Sequence, residues 1–381
     1  MSDSLSPKIK FKKSLYSNFE ATDYLNPHTT IDNASAVIDS SLGFSPYGFS
    51  PYVKAALQKV DYTTLTAYQE IYHDSSLLGE LIKKWGYSGI TKENVFFGHG
   101  AYNVLERIVY KLLEPCSMLG VGPQFPNIPN EAMLSGGSYH SIPFNQEFKF
   151  PCKELHAEIE QSQNHHGYSV IFLDNPNNPT GNFIDLTTIE HIAHAAEKQG
   201  ICLIVDEAYG DFTKDEESAI NLVPTCNNLM VVRSFSKAYG LASLRVGYCV
   251  VSDHIASYYR MIDVPFEPSL LSSIAASAAL KDPSFIAKNR NKVAEEKKIL
   301  TDGLTTMGFT ILPTHPDVPI FMAHKPGYNV MNLFEQRGIK VIPGESFNKT
   351  NTLIDSSYAR VRIPGSLEAC KEILNRISNF V

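Results

Sequence analysis

The sequence predicts an α/β fold. We expect a large domain with a mostly parallel sheet covered by helices on both faces, and a smaller α/β domain beside it. Short apolar runs that end in small or polar residues alternate with helical periodicity between residues 94 and 252. Such runs are typical of strands buried on both faces of a parallel sheet. The 381 residues exceed what one core usually supports, and the pattern changes after about residue 265.

Six apolar runs are the predicted strands: 94–100, 116–122, 168–176, 201–209, 228–236 and 245–252. Between them the clearest helix covers residues 186–200, where Ile189, Ile192, Ala193 and Ala196 share one face. Beyond residue 265 we expect helices at 270–280 and 288–307, with the charged run 288–298 as a solvated face. The predicted organisation is an N-terminal segment (1–50) that joins the smaller domain, a large domain (51–265) and a small C-terminal domain (266–381).

Composition and charge exclude several classes of protein. Thirty-three basic and 40 acidic residues give a net charge of −7, which offers no attraction to nucleic acid or an anionic membrane. No apolar run is long enough to cross a bilayer, and the first residues lack the apolar stretch of a secretory signal. Six cysteines without CxxC pairing predict reduced thiols, not a disulfide framework or a metal site. We expect a cytoplasmic protein that acts on small molecules.

Polar side chains follow two of the predicted strands, where parallel sheets bind their ligands. DNPNNPTG (174–181) places Asn178 on a loop, although turn chemistry alone explains much of this motif. Asp206 follows the apolar residues of ICLIVDEAY (201–209), so its carboxylate is predicted to be buried. A buried carboxylate is costly without a positive partner, and a structural ion pair is the alternative.

A third strand end, RSFSKAYGLASLRVGY (233–248), brings together hydroxyls and cations. Ser234, Ser236 and Arg245 are suited to a phosphate dianion. Lys237 lies among small residues directly after a buried strand, where its amine can form a Schiff base with a carbonyl carbon.

The segment GHGAYN (98–103) starts a predicted helix with small residues, so that backbone N–H groups point at an anion. A tight turn explains this segment nearly as well. A dinucleotide site does not, because Asn103 stands where the third glycine of that fingerprint belongs.

Together these motifs resemble the fold-type I pyridoxal-phosphate enzymes of the class I/II aminotransferase family, especially the histidinol-phosphate aminotransferase-like branch. DNPNNPTG, VDEAY and the segment 233–248 occur in the family's order, and the similarity runs from about residue 37 to the C-terminus. The resemblance implies a transferase of amino acid metabolism or biosynthesis that uses pyridoxal 5'-phosphate. Its substrates would be an L-amino acid or related amine and a 2-oxo acid.

The resemblance also implies roles for single residues. Lys237 would form the Schiff base with the cofactor and move the α-proton, and Asp206 would pair with the pyridine nitrogen. Tyr209 and Asn178 would hydrogen-bond the phenolic oxygen of the ring. The remaining cofactor contacts would come from Ser234, Ser236 and Arg245, from the backbone at Gly100, Ala101 and Tyr102, and from the stacked ring of Phe125.

Two further residues are implied to act on the substrate and across subunits. In ARVRIPG (359–365), Arg360 aligns with the arginine that binds the substrate α-carboxylate. Arg362 would share a strand face with it, and the distance to Gly365 favours Arg360. Tyr68 matches a tyrosine that reaches the phosphate in the neighbouring subunit, with Tyr72 as the alternative, so a homodimer with shared active sites is expected.

The chain departs from the family at two places. Gly43 and Phe44 stand where polar residues are common, and Ile342 and Pro343 replace the arginine that the histidinol-phosphate branch tends to carry. The motifs leave open a decarboxylase, racemase or C–S lyase on the same fold, because they do not specify which bond breaks. A non-catalytic regulator is the remaining alternative, but only about 35 residues precede the fold, too few for a DNA-binding domain.

Overall fold

A computed structural model describes residues 12–15, 37–68, 76–115, 117–145, 147–165 and 167–378. The strands in these ranges are β1 (Ile38–Asp39), β2 (Val95–Gly98), β3 (Ser117–Gly122), β4 (Ser138–Pro143), β5 (Val170–Asp174), β6 (Cys202–Glu207), β7 (Leu229–Ser234), β8 (Gly247–Val251), β9 (Thr310–Ile311), β10 (Ile320–His324), β11 (Ile339–Lys340), β12 (Ile342–Pro343) and β13 (Tyr358–Arg362). The helices are α1 (Pro51–Leu57), α2 (Ser76–Trp85), α3 (Gly100–Arg107), α4 (Asn127–Ser135), α5 (Cys152–His165), α6 (Leu186–Lys198), α7 (Asp253–Ile262), α8 (Leu270–Leu280), α9 (Pro283–Thr306), α10 (Val330–Glu335) and α11 (Leu367–Ser378).

The central sheet has seven strands in the order β2-β8-β7-β6-β5-β3-β4. β8 runs antiparallel to both of its neighbours, and the remaining pairs are parallel. A parallel neighbour needs a long crossover, whereas the segment 235–246 between β7 and β8 contains only a short 3-10 turn. All six predicted runs lie in this sheet. The expectation of a mostly parallel α/β fold is therefore confirmed.

Helices cover both faces of this sheet. Along β5, Ile171 and Leu173 belong to one buried cluster, while Val170 and Phe172 belong to another on the opposite face. The first cluster includes the apolar faces of α2, α5 and α6, and the second includes those of α3, α4 and α7. The long apolar runs of the sequence are explained by this burial on both sides.

A second, four-stranded antiparallel sheet has the order β12-β13-β10-β9. Separately, β1 pairs in parallel with β11, so residues near the start of the chain join the C-terminal part. The Arg362 backbone N–H also donates to the carbonyl of Ser40 over 2.8 Å. These contacts hold the segment after β1 beside β13. Among the described residues, no helix combines the length and hydrophobicity required to span a bilayer.

Two expectations about elements were incomplete or wrong. The edge strand β4 was not predicted, because its residues are mostly half-buried and do not form an apolar run. The charged run 288–298 is not simply a solvated face, because Glu296 and Lys297 are both 3% exposed. The Lys297 amine donates to Thr314 and to three backbone carbonyls over 2.6–2.9 Å, while Glu296 accepts from Tyr47 and the Gly365 N–H. These hydrogen bonds compensate the cost of burial.

Candidate active site

The carboxyl ends of β5, β6 and β7 border a cavity of about 200 Å³. Most of the predicted site residues line it: Ala101, Tyr102, Phe125, Asn178, Asp206, Tyr209, Ser234, Ser236, Lys237 and Arg245. Leu105, Asp174, Pro176, Ala208 and Ala242 complete the lining. Residues from distant parts of the chain meet here because parallel strands bring their carboxyl ends to one edge of the sheet.

One end of the cavity is rich in hydrogen-bond donors. The Ser236 N–H donates to the Ser234 hydroxyl oxygen over 3.1 Å, which leaves the Ser234 proton available. Arg245 donates to the carbonyls of His99 and Ala242 over 3.0 and 2.9 Å, and its backbone is left-handed at φ +50°. A non-glycine residue held in this region is strained and is often found at functional sites.

Helix α3 begins at this same end. Its N-cap residue, His99, makes no side-chain capping bond, so the first backbone N–H groups have no partner from that side chain. Gly100 has φ +83°, and a Cβ there would lie 2.5 Å from the Arg245 Nη2 atom. The glycine is required for the guanidinium to approach the helix start. Hydroxyls, a guanidinium and a helix N-terminus together form an anion site.

Lys237 lies near Tyr209 in the middle of the cavity. The Lys237 Nζ atom is 5.4 Å from the centre of the Tyr209 ring. Gly43 passes over both, because a Cβ there would lie 1.9 Å from the Tyr209 Oη and 3.4 Å from the Lys237 Nζ. The departure from polar residues at position 43 is therefore explained by lack of space beside this pair.

The Asp206 carboxylate is 6% exposed and accepts the Ala208 N–H over 2.9 Å. Burial raises its pKa to about 7, while the charge of Lys237 opposes the shift. Burial also raises the pKa of the Tyr209 hydroxyl, against the nearby charges of Arg360 and Arg362. Tyr209 is accordingly a proton donor at neutral pH.

Arg360 reaches the cavity through Asn178. Its Nη1 donates to the Asn178 Oδ1 over 2.9 Å, and its Nη2 donates to the carbonyl of Ser41. Arg362 has different neighbours: its guanidinium stacks on the Phe44 ring at 4.4 Å and donates to the carbonyls of Asp39 and Ile363. Within the described part of the chain, Arg360 hydrogen-bonds a residue of the cavity wall, whereas the hydrogen bonds of Arg362 go to Asp39 and Ile363 and its charge acts on Tyr209.

Tyr68 does not line the cavity within this chain. It is 83% exposed and stacks on Phe266 with ring centres 4.7 Å apart. Its alternative, Tyr72, lies outside the described residues. Gly100 is likewise absent from the cavity wall, but it packs against Arg245.

Asp174 was missed as a site residue. It lines the cavity, is 6% exposed and pairs in register with Asp206 on the neighbouring strand. The signal was present in the sequence, since Asp174 ends an apolar run in the same way as Asp206. The same argument from strand ends would have found both carboxylates.

The residues of the cavity fit pyridoxal phosphate. The Tyr209 Oη is buried and has no hydrogen-bond partner within the described part of the chain, as a donor to a phenolic oxygen would require. Asp206 supplies a carboxylate for a ring nitrogen, and Lys237 supplies a primary amine for an aldehyde. The donors around Arg245 suit the phosphate.

Comparisons with known proteins agree with this fit. The sequence matches the family described as aminotransferase class I and II over residues 37–377. A histidinol-phosphate aminotransferase of Nitratidesulfovibrio vulgaris is 27% identical over 339 residues, which make up 87% of each chain. One from Methanococcus aeolicus is 28% identical over 359 residues, covering 92% of this chain and 91% of the relative.

A solved structure shares the fold. The histidinol-phosphate aminotransferase of Sinorhizobium meliloti, in complex with pyridoxal-5'-phosphate, superposes with a TM-score of 0.81 at 20% identity. The likeness covers 99% of this chain and 98% of that chain. The family match, which spans nearly the whole length, agrees with the cavity chemistry described above. The chain belongs to the aminotransferase class I and II family and is a pyridoxal-phosphate-dependent transaminase.

Proposed function

We propose that this enzyme exchanges the amino group of an L-amino acid, or a related amine, with a 2-oxo acid at the cavity around Lys237. One observation carries the proposal: the cavity joins the Lys237 amine and the Asp206 carboxylate to Arg360, which is bonded to Asn178 in the cavity wall. Lys237 would supply the amine for the cofactor aldehyde and Asp206 the carboxylate for its ring nitrogen. Arg360, one hydrogen bond behind the cavity wall, would supply a guanidinium for the substrate α-carboxylate.

The chain's own residues would hold the cofactor at its two ends. Ser234, Ser236, Arg245 and the start of α3 would bind the phosphate, and Phe125 would pack on the ring. Asp206 would accept a hydrogen bond from the ring nitrogen and keep that nitrogen protonated, while Tyr209 would donate to the phenolic oxygen. When bound, pyridoxal phosphate supplies an aldehyde that carries the amino group and a ring that accepts electron density from the substrate's α-carbon.

Lys237 and Arg360 would act on the substrate. Lys237 would supply the amine that condenses with the cofactor's aldehyde, with loss of water, and its free Nζ would accept the proton from the substrate α-carbon. Arg360 binds the α-carboxylate through its guanidinium, and Asn178 fixes the orientation of that guanidinium through the 2.9 Å hydrogen bond. The segment at Gly43 lies close to the amine of Lys237 and would limit the access of water to it.

We propose a homodimer that works in the cytoplasm. Tyr68 stacks on Phe266 with both rings exposed, and Tyr62 and Leu65, a few positions before Tyr68 in the sequence, are exposed as well. A second copy that covers these side chains would bring Tyr68 to the phosphate end of its site. The five cysteines that the structure describes form no disulfide, which suits a reducing compartment.

The amino donor is a separate question, because the relatives are named histidinol-phosphate aminotransferases. Ile342, opposite Arg360 on the paired strands β12 and β13, is buried and apolar, and Pro343 follows it. Neither side chain can bind a phosphate. We therefore propose an amino acid donor without a phosphate group.

A half-reaction panel tests this proposal. Single L-amino acids and histidinol phosphate are added to the holoenzyme, and the visible spectrum is followed for conversion of the aldehyde form of the cofactor to its amine form. We expect conversion by one or more amino acids and much slower conversion by histidinol phosphate. Failure of every amino acid would contradict the proposed function, and preference for histidinol phosphate would contradict the proposed donor class.

A further inference from the structure

We propose that Asp174 is a positioning residue of this site: its carboxylate joins the loop that carries Phe125 to the loop that carries Asn178. The inference rests on the proposed function, because that assigns Phe125 to the cofactor ring and Asn178 to Arg360. The Asp174 Oδ2 accepts the Phe125 N–H and the Asn178 N–H, each over 3.0 Å. The Oδ1 accepts the Asn177 side-chain amide over 2.9 Å.

The two loops are far apart in the sequence, so no short stretch of chain holds them together. One follows β3 and the other follows β5, and Asp174 is 49 positions from Phe125 in the sequence. The Asn177 amide adds a second link, since it also donates to the carbonyl of Pro123 over 2.8 Å. β3 and β5 are paired neighbours, and beyond their last paired residues Asp174 and Asn177 link the two loops.

The effect of Asp174 extends to the second sheet. The Asn178 backbone N–H donates to the Asp174 carboxylate, and the Asn178 side-chain oxygen accepts from the Arg360 guanidinium. One residue therefore connects the carboxylate with the guanidinium. Movement of the 175–181 loop would shift the acceptor that orients Arg360. We expect loss of the Asp174 carboxylate to weaken binding of the substrate carboxylate as well as packing on the cofactor ring.

A carboxylate at this position is costly for the fold. Asp174 is 6% exposed and lies beside Asp206, its register partner on β6. Burial raises the pKa of Asp174 to about 7, and the neighbouring Asp206 adds to the shift, while the hydrogen bonds oppose it. An asparagine keeps an oxygen for the two backbone N–H groups and removes the like-charge contact. It therefore separates the effect of the hydrogen bonds from that of the charge.

The test compares three variants. Asp174→Ala removes all three acceptor contacts, whereas the oxygen of Asp174→Asn can still accept both backbone N–H groups. Asp185→Ala is the matched control, because Asp185 also accepts a backbone N–H, that of Thr188 over 2.9 Å, but caps α6 away from the cavity wall. The measurements are titration of the cofactor-free protein with pyridoxal phosphate, circular dichroism of the bound cofactor, and KM and kcat for an active amino acid.

We expect Asp174→Ala to weaken cofactor affinity and to raise KM, each about tenfold or more, with a changed cofactor dichroism. Asp174→Asn should stay within about threefold of wild type in both, and Asp185→Ala should bind the cofactor normally. If the alanine variant fails to fold, Asp174→Ser takes its place, since one hydroxyl cannot accept the same three donors.

Wild-type cofactor affinity and dichroism in Asp174→Ala would overturn the inference. Equal defects in the alanine and asparagine variants would also overturn it, because the retained N–H contacts would then have no effect. The cofactor titration needs no substrate. If the wild type binds the cofactor but converts no amino acid, the proposed function fails while the titration still decides the role of Asp174.

Discussion

Arg360 and Arg362 lie on the same strand, and the structure shows that their guanidinium groups have different neighbours. Both are buried on β13, two positions apart, and both point to the same face of the strand. The guanidinium of Arg360 contacts Asn178, whereas that of Arg362 is covered by Phe44. Strand geometry alone could not separate the two, because their difference depends on loops distant in the chain. The family resemblance favoured Arg360 through its distance to Gly365. The role of Arg360 in binding the substrate carboxylate stays a prediction.

We expect Arg360→Lys to raise KM for the amino acid substrate about 10- to 100-fold and to change kcat less, because a lysine loses the bidentate contact. Steady-state kinetics measure the effect. The matched control is Arg362→Lys, for which KM should change by less than about threefold. Among the described residues Arg362 hydrogen-bonds Asp39 and Ile363, outside the cavity wall, and a lysine keeps its charge near Tyr209. A larger rise of KM in the control than in Arg360→Lys would contradict this assignment.

A second prediction at the residue scale concerns Asp206 and the pH dependence of stability in the cofactor-free protein. Burial raises its pKa from 3.8 to about 7. The folded state thus holds the proton more tightly than the unfolded chain does. The contribution of this proton to the free energy of unfolding is complete below pH 3.8 and is lost as the pH rises through about 7. Between these values the free energy of unfolding falls by up to about 1.4 kcal/mol per pH unit for this group.

Urea denaturation at several pH values between about 5 and 8 checks this prediction. The stability of the wild type should fall with pH more steeply than that of Asp206→Asn, which has no proton to release. Asp302→Asn is the control, because its side chain is 63% exposed and should keep the wild-type slope. Parallel slopes for wild type and Asp206→Asn would show that burial does not perturb this carboxyl.

At the scale of elements, the paired ends of β6 and β7 form a buried ionic network behind the cavity. Glu207 and Arg233 are register partners, and the Glu207 Oε2 accepts the Arg233 Nε over 2.8 Å. Glu207 also accepts from Ser218 and the Ala219 N–H, and Asp211 lies 3.1 Å from Arg233. Side chains alternate along a strand, so Glu207 points away from the face on which Asp206 meets the cavity. The network therefore holds in place the strand β6 that carries Asp206.

We expect Arg233→Met to lower the free energy of unfolding by about 3–5 kcal/mol, because it leaves buried carboxylates without their cation. Chemical denaturation gives the value. Arg260→Ala is the contrast: its ion pair with Glu93 is about half exposed, and its loss should cost less than about 1 kcal/mol. Equal costs for the two variants would contradict the importance of burial here.

Strand prediction succeeded where burial is two-sided. The runs at 168–176 and 201–209 contain β5 and β6, in which the side chains are apolar over residues 170–173 and 202–205 until the strand ends. Strand prediction failed for β4, a half-buried edge strand. On helix α9, the charge pattern predicted a solvated face, but Glu296 and Lys297 are buried. Their partners come from distant segments, and no local pattern reveals such contacts. The domain boundaries at residues 50 and 265 stay predictions.

At the scale of the whole molecule, we expect the exposed ring of Tyr68 to contact a second subunit. We expect the protein to sediment as a dimer. Tyr68→Phe should keep the dimer but weaken cofactor affinity about tenfold, because only the hydroxyl reaches the phosphate across the interface. Tyr87→Phe, at a tyrosine that is 63% exposed, is the control and should bind the cofactor normally. A fully active monomer would contradict the shared site.

The proposed function depends most on a covalent bond between the Lys237 amine and the cofactor aldehyde. Borohydride reduction of the holoenzyme followed by peptide mass analysis locates that bond directly. We predict a cofactor-modified peptide that contains Lys237, and loss of both this peptide and the visible absorption in Lys237→Ala. Lys298→Ala, at a side chain that is 75% exposed, should keep both. A modified peptide at another lysine, or a wild-type spectrum in Lys237→Ala, would contradict the account.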